Sequence, residues 1–208
     1  MIEIPTLDGD DSFQAYEARP GGEPKAAIIV IQEIFGVNEG IRRKCDHWAS
    51  LGYLALAPDL FWRLEPGVEL DADIESEFKQ ALDLMGRFNQ DQGIRDIEAT
   101  IRAARKSLGN NGKVGCVGYY AVGVDNLLRE KHAISRPLLL HIAGADHFVD
   151  AATQAKMHEG LDDHSKVTLH DYPGEDHGFA AELGKRRSEA AAKRADARTE
   201  EFLARHLA

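Results

Sequence analysis

Three short runs constrain the fold of this chain more than anything else in it: AAIIVIQ at Ala26–Gln32, YLALAP at Tyr53–Pro58 and KVGCVG at Lys113–Gly118. Each is almost continuously apolar and too short for an ordinary helix, and a strand without polar alternation must be covered on both faces. Between the first two lies NEGIRRKCDHWASLG, with Asn38 as N-cap, apolar Ile41, Cys45, Trp48 and Leu51 at helical spacing, and Gly52 to stop it. Strand, helix and strand in that order form a βαβ unit. Residues 73–108 carry two helical patterns divided near Asn89–Gly93, the second striped with Ile94, Ile97, Ile101 and Ala104. RPLLLHIAG (Arg136–Gly144) and KVTLHDYPG (Lys166–Gly174) are further strands, and helices are expected over 151–159 and 185–206. Regular alternation predicts an α/β fold, a mostly parallel sheet flanked by helices on both faces.

At 208 residues, without an internal repeat, low-complexity tract or Pro/Gly/Ser linker, the chain reads as a single domain, 1–208. A net charge of -10 repels phosphates and argues against nucleic-acid and anionic-membrane partners. Without a charged-then-apolar leader, or a run approaching the roughly 20 apolar residues that span a bilayer, a cytoplasmic protein is expected. Cys45 and Cys116 are too few for a disulfide framework or zinc site, so both are expected reduced and buried. The expected partner is a small molecule, with no cofactor and no metal, for a monomer or homodimer.

Parallel sheets place their sites at the carboxyl ends of the strands, which directs attention to the loops after Gln32, Gly118, Gly144 and Gly174. Those loops carry Glu33, Tyr119-Tyr120, Asp146 and His177. An acid and then a histidine, each after a late strand, is the order of a nucleophile, acid and histidine triad. His177 in GEDHGF then acts as general base and Asp146 in GADHFV sets its tautomer; Asp176 and His147 are the adjacent alternatives for the same two roles. Glu33 ends a buried run, an odd place for a charge unless it faces a site, although a simple loop carboxylate is an equal reading. The backbone N–H of Ile34 is placed to serve an oxyanion.

Taken together, QEIFGVNEGIRRKCDHWASLGYLALAPDLFWR, GKVGCVGY, RPLLLHIAGADHFV and YPGEDHGF resemble the dienelactone hydrolases (carboxymethylenebutenolidases) from about Lys25 onward. The resemblance implies an α/β-hydrolase fold. It also implies opening of lactones or esters by a Cys-His-Asp triad, the cysteine sitting in a G-x-C-x-G elbow and resting against the glutamate of a QE-[IV]-[FW]-G loop. The histidine falls on His177, the acid on Asp146 and the glutamate on Glu33. In GYYAVG, however, Tyr120 occupies the cysteine's place, Ala121 follows as the second oxyanion donor, and Val122 replaces a close-packing glycine. A phenol with a reference pKa of about 10 is a poor substitute for a thiol near 8.5.

The family's elbow is followed by a helix and a further strand ending in something like GYYGVGLDDLL, which GYYAVGVDNLL resembles better than it resembles an elbow. An internal deletion on the order of 30 residues, the size of one βαβ unit, would join the first VGY to the second and leave the sheet one strand and one helix short. The interval from Gly118 to Arg136 accordingly offers only the weak helical pattern DNLLREKH. Cys116 lies inside a strand, Cys45 on a helix stripe, and no serine stands in a G-x-S-x-G setting. The family's substrate-binding arginines find Ala181 at one place, and only Lys79 in the helix region of the other, so dienelactone itself is not implied. Two other readings stay open. One is an inactive relative that binds a small molecule or does nothing; the other is a flavodoxin-like module binding FMN, which leaves QEIFG and GEDHGF unexplained.

Overall fold

The computed structural model describes residues 1–109, 112–119 and 123–208. The chain falls into two compact units, Met1–Tyr119 with Glu182–Gly184 and Leu207–Ala208, and Tyr120–Ala181 with Lys185–His206.

The first unit is built on a five-stranded sheet. Its elements are β1 (Ile2–Pro5), β2 (Ser12–Ala18), β3 (Ala27–Ile31), α1 (Glu39–Ser50), β4 (Leu54–Pro58), α2 (Glu75–Arg87), α3 (Gln90–Ser107) and β5 (Val114–Gly118). The strand order is β1-β2-β4-β3-β5, with β3 parallel to both β4 and β5. β1 and β2 add an antiparallel edge, so the sheet is mixed. These two strands escape the apolar-run pattern because they alternate: Ile4, Phe13 and Ala15 are buried while their neighbours face solvent. β3 and β4 are almost wholly buried, as their composition demands. Asn38 caps α1 by accepting from the Ile41 N–H at 3.2 Å.

Two details differ from expectation. Ile94 is 64% exposed, and α3 instead turns Gly93, Asp96, Ala99, Thr100 and Ala104 inward. The reason is Asp96, whose buried carboxylate accepts from Trp62 Nε1 at 3.0 Å and pairs with the Arg63 guanidinium. A fully paired carboxylate can occupy an inward helix position that pattern alone gives to an isoleucine. Cys116 is exposed rather than buried. It lies on β5, the edge of the sheet, whose residues are only partly covered.

The second unit holds α4 (Val124–Arg129), a single 3-10 turn (Lys131–Ala133), β6 (Leu138–Ala143), α5 (Ala151–Leu161), β7 (Val167–Tyr172) and α6 (Glu189–Leu207). β6 and β7 form a two-stranded parallel sheet of their own, so the described strands make two sheets where sequence predicts one. α6 begins at Glu189, later than expected, because the Ser188 N–H donates to the Phe179 carbonyl and the Arg187 side chain to the Ala181 carbonyl. Tyr172, Phe179, Ala191 and Ala195 form a core between β7 and α6. Among the described residues, no helix is long and apolar enough to cross a membrane.

A directional hydrogen-bond chain runs through this unit. The Thr199 hydroxyl donates to the Ala195 carbonyl, so its oxygen accepts from His141 Nε2–H at 2.9 Å; His141 Nδ1 must then accept from the Tyr172 hydroxyl at 2.8 Å. Burial, with His170 and Arg198 nearby, pushes the His141 pKa down to about 4 from an ordinary 6.5. A depressed histidine pKa favours the fold above the ordinary value, and that stabilisation is lost as pH falls from 6.5 toward 4. Urea titrations at those two pH values should show the wild type losing more stability than His141→Phe across the window. Equal losses would remove His141 as the cause.

Candidate active site

Glu33 and Ile34 lie in the first unit, on a loop pinned from both sides. The buried Gln32 side chain accepts the Leu60 N–H through Oε1 at 2.8 Å and donates through Nε2 to the Glu33 carbonyl, tying the exit of β3 to the exit of β4. Gly36 adopts φ 77°, and a Cβ there would lie 1.9 Å from the Val68 carbonyl oxygen. Only glycine permits that approach. The Leu70 N–H donates to Phe35 O and Asn38 Nδ2 to Leu70 O, so residues 68–70 form the loop's far wall. Ile34 packs its side chain against the cluster of Phe35, Phe61, Val68 and Leu70. Glu33 is half-buried. Lys79 pairs with Glu75 on an exposed helix face.

In the second unit, the parallel pairing of β6 with β7 continues into both loops. The Gly144 N–H donates to Tyr172 O at 3.0 Å and the Ala145 N–H to Glu175 O at 2.9 Å. A Cβ on Gly144 would sit 3.0 Å from Pro173 Cα, so a small residue is needed for the loops to meet. Asp146 then faces His177, with Nδ1 2.9 Å from Oδ2 and both side chains largely buried. The other Asp146 oxygen accepts the Phe148 N–H at 2.8 Å, which fixes the carboxylate's rotation. An imidazole that gives Nδ1–H to a carboxylate keeps Nε2 as a lone pair, the arrangement of a general base.

His147 and Asp176, the adjacent alternatives, form a second pair of their own, Nδ1 to Oδ1 at 2.7 Å. The His147 side chain, then the backbone N–H groups of His177 and His147, hold the Asp176 carboxyl down to about 2. Phe148 was not singled out by sequence. Its ring, 57% exposed, stands edge-on to His177 at 4.9 Å. An exposed aromatic beside the base was foreshadowed only by its place two residues after Asp146. Asp146, His147 and Asp176 have possible ligand atoms within 4.8 Å of one another, but a cation there would compete with the histidine contacts already made.

Sequence reasoning therefore finds His177 and Asp146 together, and Glu33 and Ile34 on the loop after β3. Tyr120 and Ala121 lie outside the described residues. Neither cysteine has a thiol that ionises readily. Burial raises the Cys45 thiol far above its ordinary range. Cys116 presents part of itself to solvent, yet enough protein surrounds its sulfur to push the thiol up to about 11. Little thiolate is present in either at neutral pH.

Comparison with known proteins identifies the family and the fold. The model of the dienelactone hydrolase family matches residues 13–123 and 117–207. A provisionally named carboxymethylenebutenolidase of Azospirillum brasilense is 40% identical over 230 positions, covering 100% of each chain. The carboxymethylenebutenolidase of Pseudomonas putida is 34% identical, covering 98% of this chain and 95% of its own. A provisionally named dienelactone hydrolase from Klebsiella pneumoniae superposes with a TM-score of 0.77 at 24% identity over 98% of both chains. The fold is that of the α/β-hydrolases, and the flavodoxin-like alternative is set aside.

The glycine argument for the Glu33 loop is testable against an internal control. Gly67 also has positive φ, but nothing lies within 4 Å of a Cβ there. Gly67→Ala should cost about 1–2 kcal/mol, the left-handed backbone term alone. Gly36→Ala adds a collision with the Val68 carbonyl and should cost clearly more by urea denaturation; equal costs would show that the loop gives way.

Proposed function

This chain belongs to the dienelactone hydrolase family, and we propose that it hydrolyses a lactone or ester bond with His177 as general base and Asp146 as the acid that orients it. One contact carries the reading: His177 Nδ1 to Asp146 Oδ2 at 2.9 Å, which presents Nε2 to a reacting proton. Glu33 takes a positioning role, and the backbone N–H groups of Ile34 and Ala121 serve the oxyanion. The chain acts as one domain on a small molecule, as a monomer or homodimer.

The nucleophile is where this chain departs from its family. Tyr120 stands at the cysteine's position. The family match breaks into two stretches that overlap at 117–123. The Azospirillum alignment spans 230 positions against 208 residues here, so about 22 positions of that relative have no counterpart. The divided family match supports loss of a piece at this junction, carrying the elbow and a strand with it, and the longer alignment is in keeping with a piece of about that size. The edge position of β5 and the separate β6–β7 sheet are in keeping with that loss.

Without the thiol, the attacking oxygen is water's. His177 Nε2 takes a proton from water as the oxygen adds to the acyl carbon. The resulting oxyanion collapses, the C–O bond to the leaving group breaks, and His177 returns the proton to the departing alkoxide. General-base assistance contributes roughly 10²–10⁴-fold, well below what a full triad supplies. The absent cysteine favours a second reading, a hydrolase frame that binds a small molecule without turning it over.

Hydrolysis of p-nitrophenyl acetate beside His177→Ala decides between them. Activity that falls about 100-fold or more in the variant, with no acylated protein by intact mass, is the expected result. Acylation at Tyr120 would replace water with the phenol as nucleophile, and equal background rates in both proteins would leave only the binding role. Inserting the unmatched segment of the Azospirillum relative between Tyr119 and Tyr120 should raise His177-dependent turnover by orders of magnitude. No gain in a folded insertion variant would count against the deletion.

A further inference from the structure

The two loops that bring Asp146 to His177 have the same dipeptide, Asp146-His147 after β6 and Asp176-His177 after β7, and the pairs cross. The carboxylate of the first takes the histidine of the second at 2.9 Å, and the carboxylate of the second takes the histidine of the first at 2.7 Å. Asp176 does more than pair. Its Oδ1 also accepts the backbone N–H of His177 at 2.7 Å and that of His147 at 3.1 Å. One oxygen therefore gathers three donors from both loops, next to the residue that acts as base. The Phe148 ring lies 3.9 Å from the His147 ring and 4.9 Å from that of His177.

We propose that His147 and Asp176 are positioning residues for His177, and that Asp176 fixes the backbone from which the imidazole reaches Asp146. The proposal rests on the reading of His177 as general base. On an exposed loop, freezing a side chain costs rotamer entropy, and a second tie between the loops meets part of that cost before substrate arrives. Asp176 ionises far below neutral pH, so its Oδ1 stays an acceptor for the donors of both loops. Among the described residues of this unit, the charged and titratable groups in contact with His177 or its aromatic neighbours include Asp146, Asp176 and His147, with the Arg186 guanidinium 6.0 Å from the Phe148 ring centre.

The test reads the ring itself and needs no turnover. Ring-nitrogen NMR of the full chain, with His177→Ala to assign the signals, reports the tautomer and titration of His177. In wild type the Nδ1–H tautomer is expected, lost in Asp146→Ala. Asp176→Ala should mix the tautomers, with thermal stability changed little. Asp176→Asn keeps the acceptor oxygen, so it should restore the tautomer. A role in folding alone would leave the tautomer of every folded variant as in wild type. If Asp176→Ala unfolds, His147→Ala, which removes only the ring contact, should still shift the tautomer balance. A wild-type tautomer in folded Asp176→Ala, or in folded His147→Ala, would overturn the proposal. If Asp146→Ala leaves His177 unchanged, the base reading itself fails, and the positioning role falls with it.

Discussion

The parallel pairing of β6 with β7 is the constraint on which the candidate site depends. Its ladder does not stop at Ala143 and Tyr172 but runs on through the Gly144 N–H to Tyr172 O and the Ala145 N–H to Glu175 O. Because the two strands run the same way, both loops leave from the same end. A carboxylate three residues past one strand can then meet a histidine five residues past the other. A slip of one residue in this pairing would turn the strands' side chains to the opposite face and break the dyad. The buried chain from Tyr172 through His141 to Thr199 ties the same pair of strands to α6 and holds that register from behind.

The first unit solves a similar problem with different means. Its strands β3 and β4 are buried on both faces, so the loop after β3 is anchored by polar groups that leave the sheet. Gln32 supplies one anchor by taking the Leu60 N–H, and Gly36 supplies another by admitting the Val68 carbonyl where a side chain would be. A buried glutamine is stable there because its amide is hydrogen-bonded at both ends. Glu33 thus occupies a prepared position rather than a free loop.

The weak point of this architecture is the interval between β5 and β6. β5 ends the five-stranded sheet and leaves Cys116 at the surface, while α4 is a helix of only six residues with no buried side chain. An apolar strand on an incompletely covered edge is a conflict between sequence and structure that the proposed deletion would account for. The family match divides into two stretches that overlap at 117–123, in the same part of the chain.

The sequence by itself determined the strands and the class of chemistry. β3 and β4 are legible because burial on both faces requires uninterrupted apolar runs, β6 and β7 because short runs rich in apolar residues recur between helical stretches, and His177 and Asp146 because each follows one of these strands. It did not reveal β1 and β2, whose single covered face leaves only a short alternation, nor the inward Asp96, which pairing makes possible where hydrophobicity would forbid it. Nor could it show which carboxylate faces which imidazole, since each Asp-His dipeptide holds two residues of the right chemistry. Tertiary structure decided that choice: only the register of two strands distant in sequence sets which carboxylate faces which imidazole, and register is a property of the paired strands that neither carries alone.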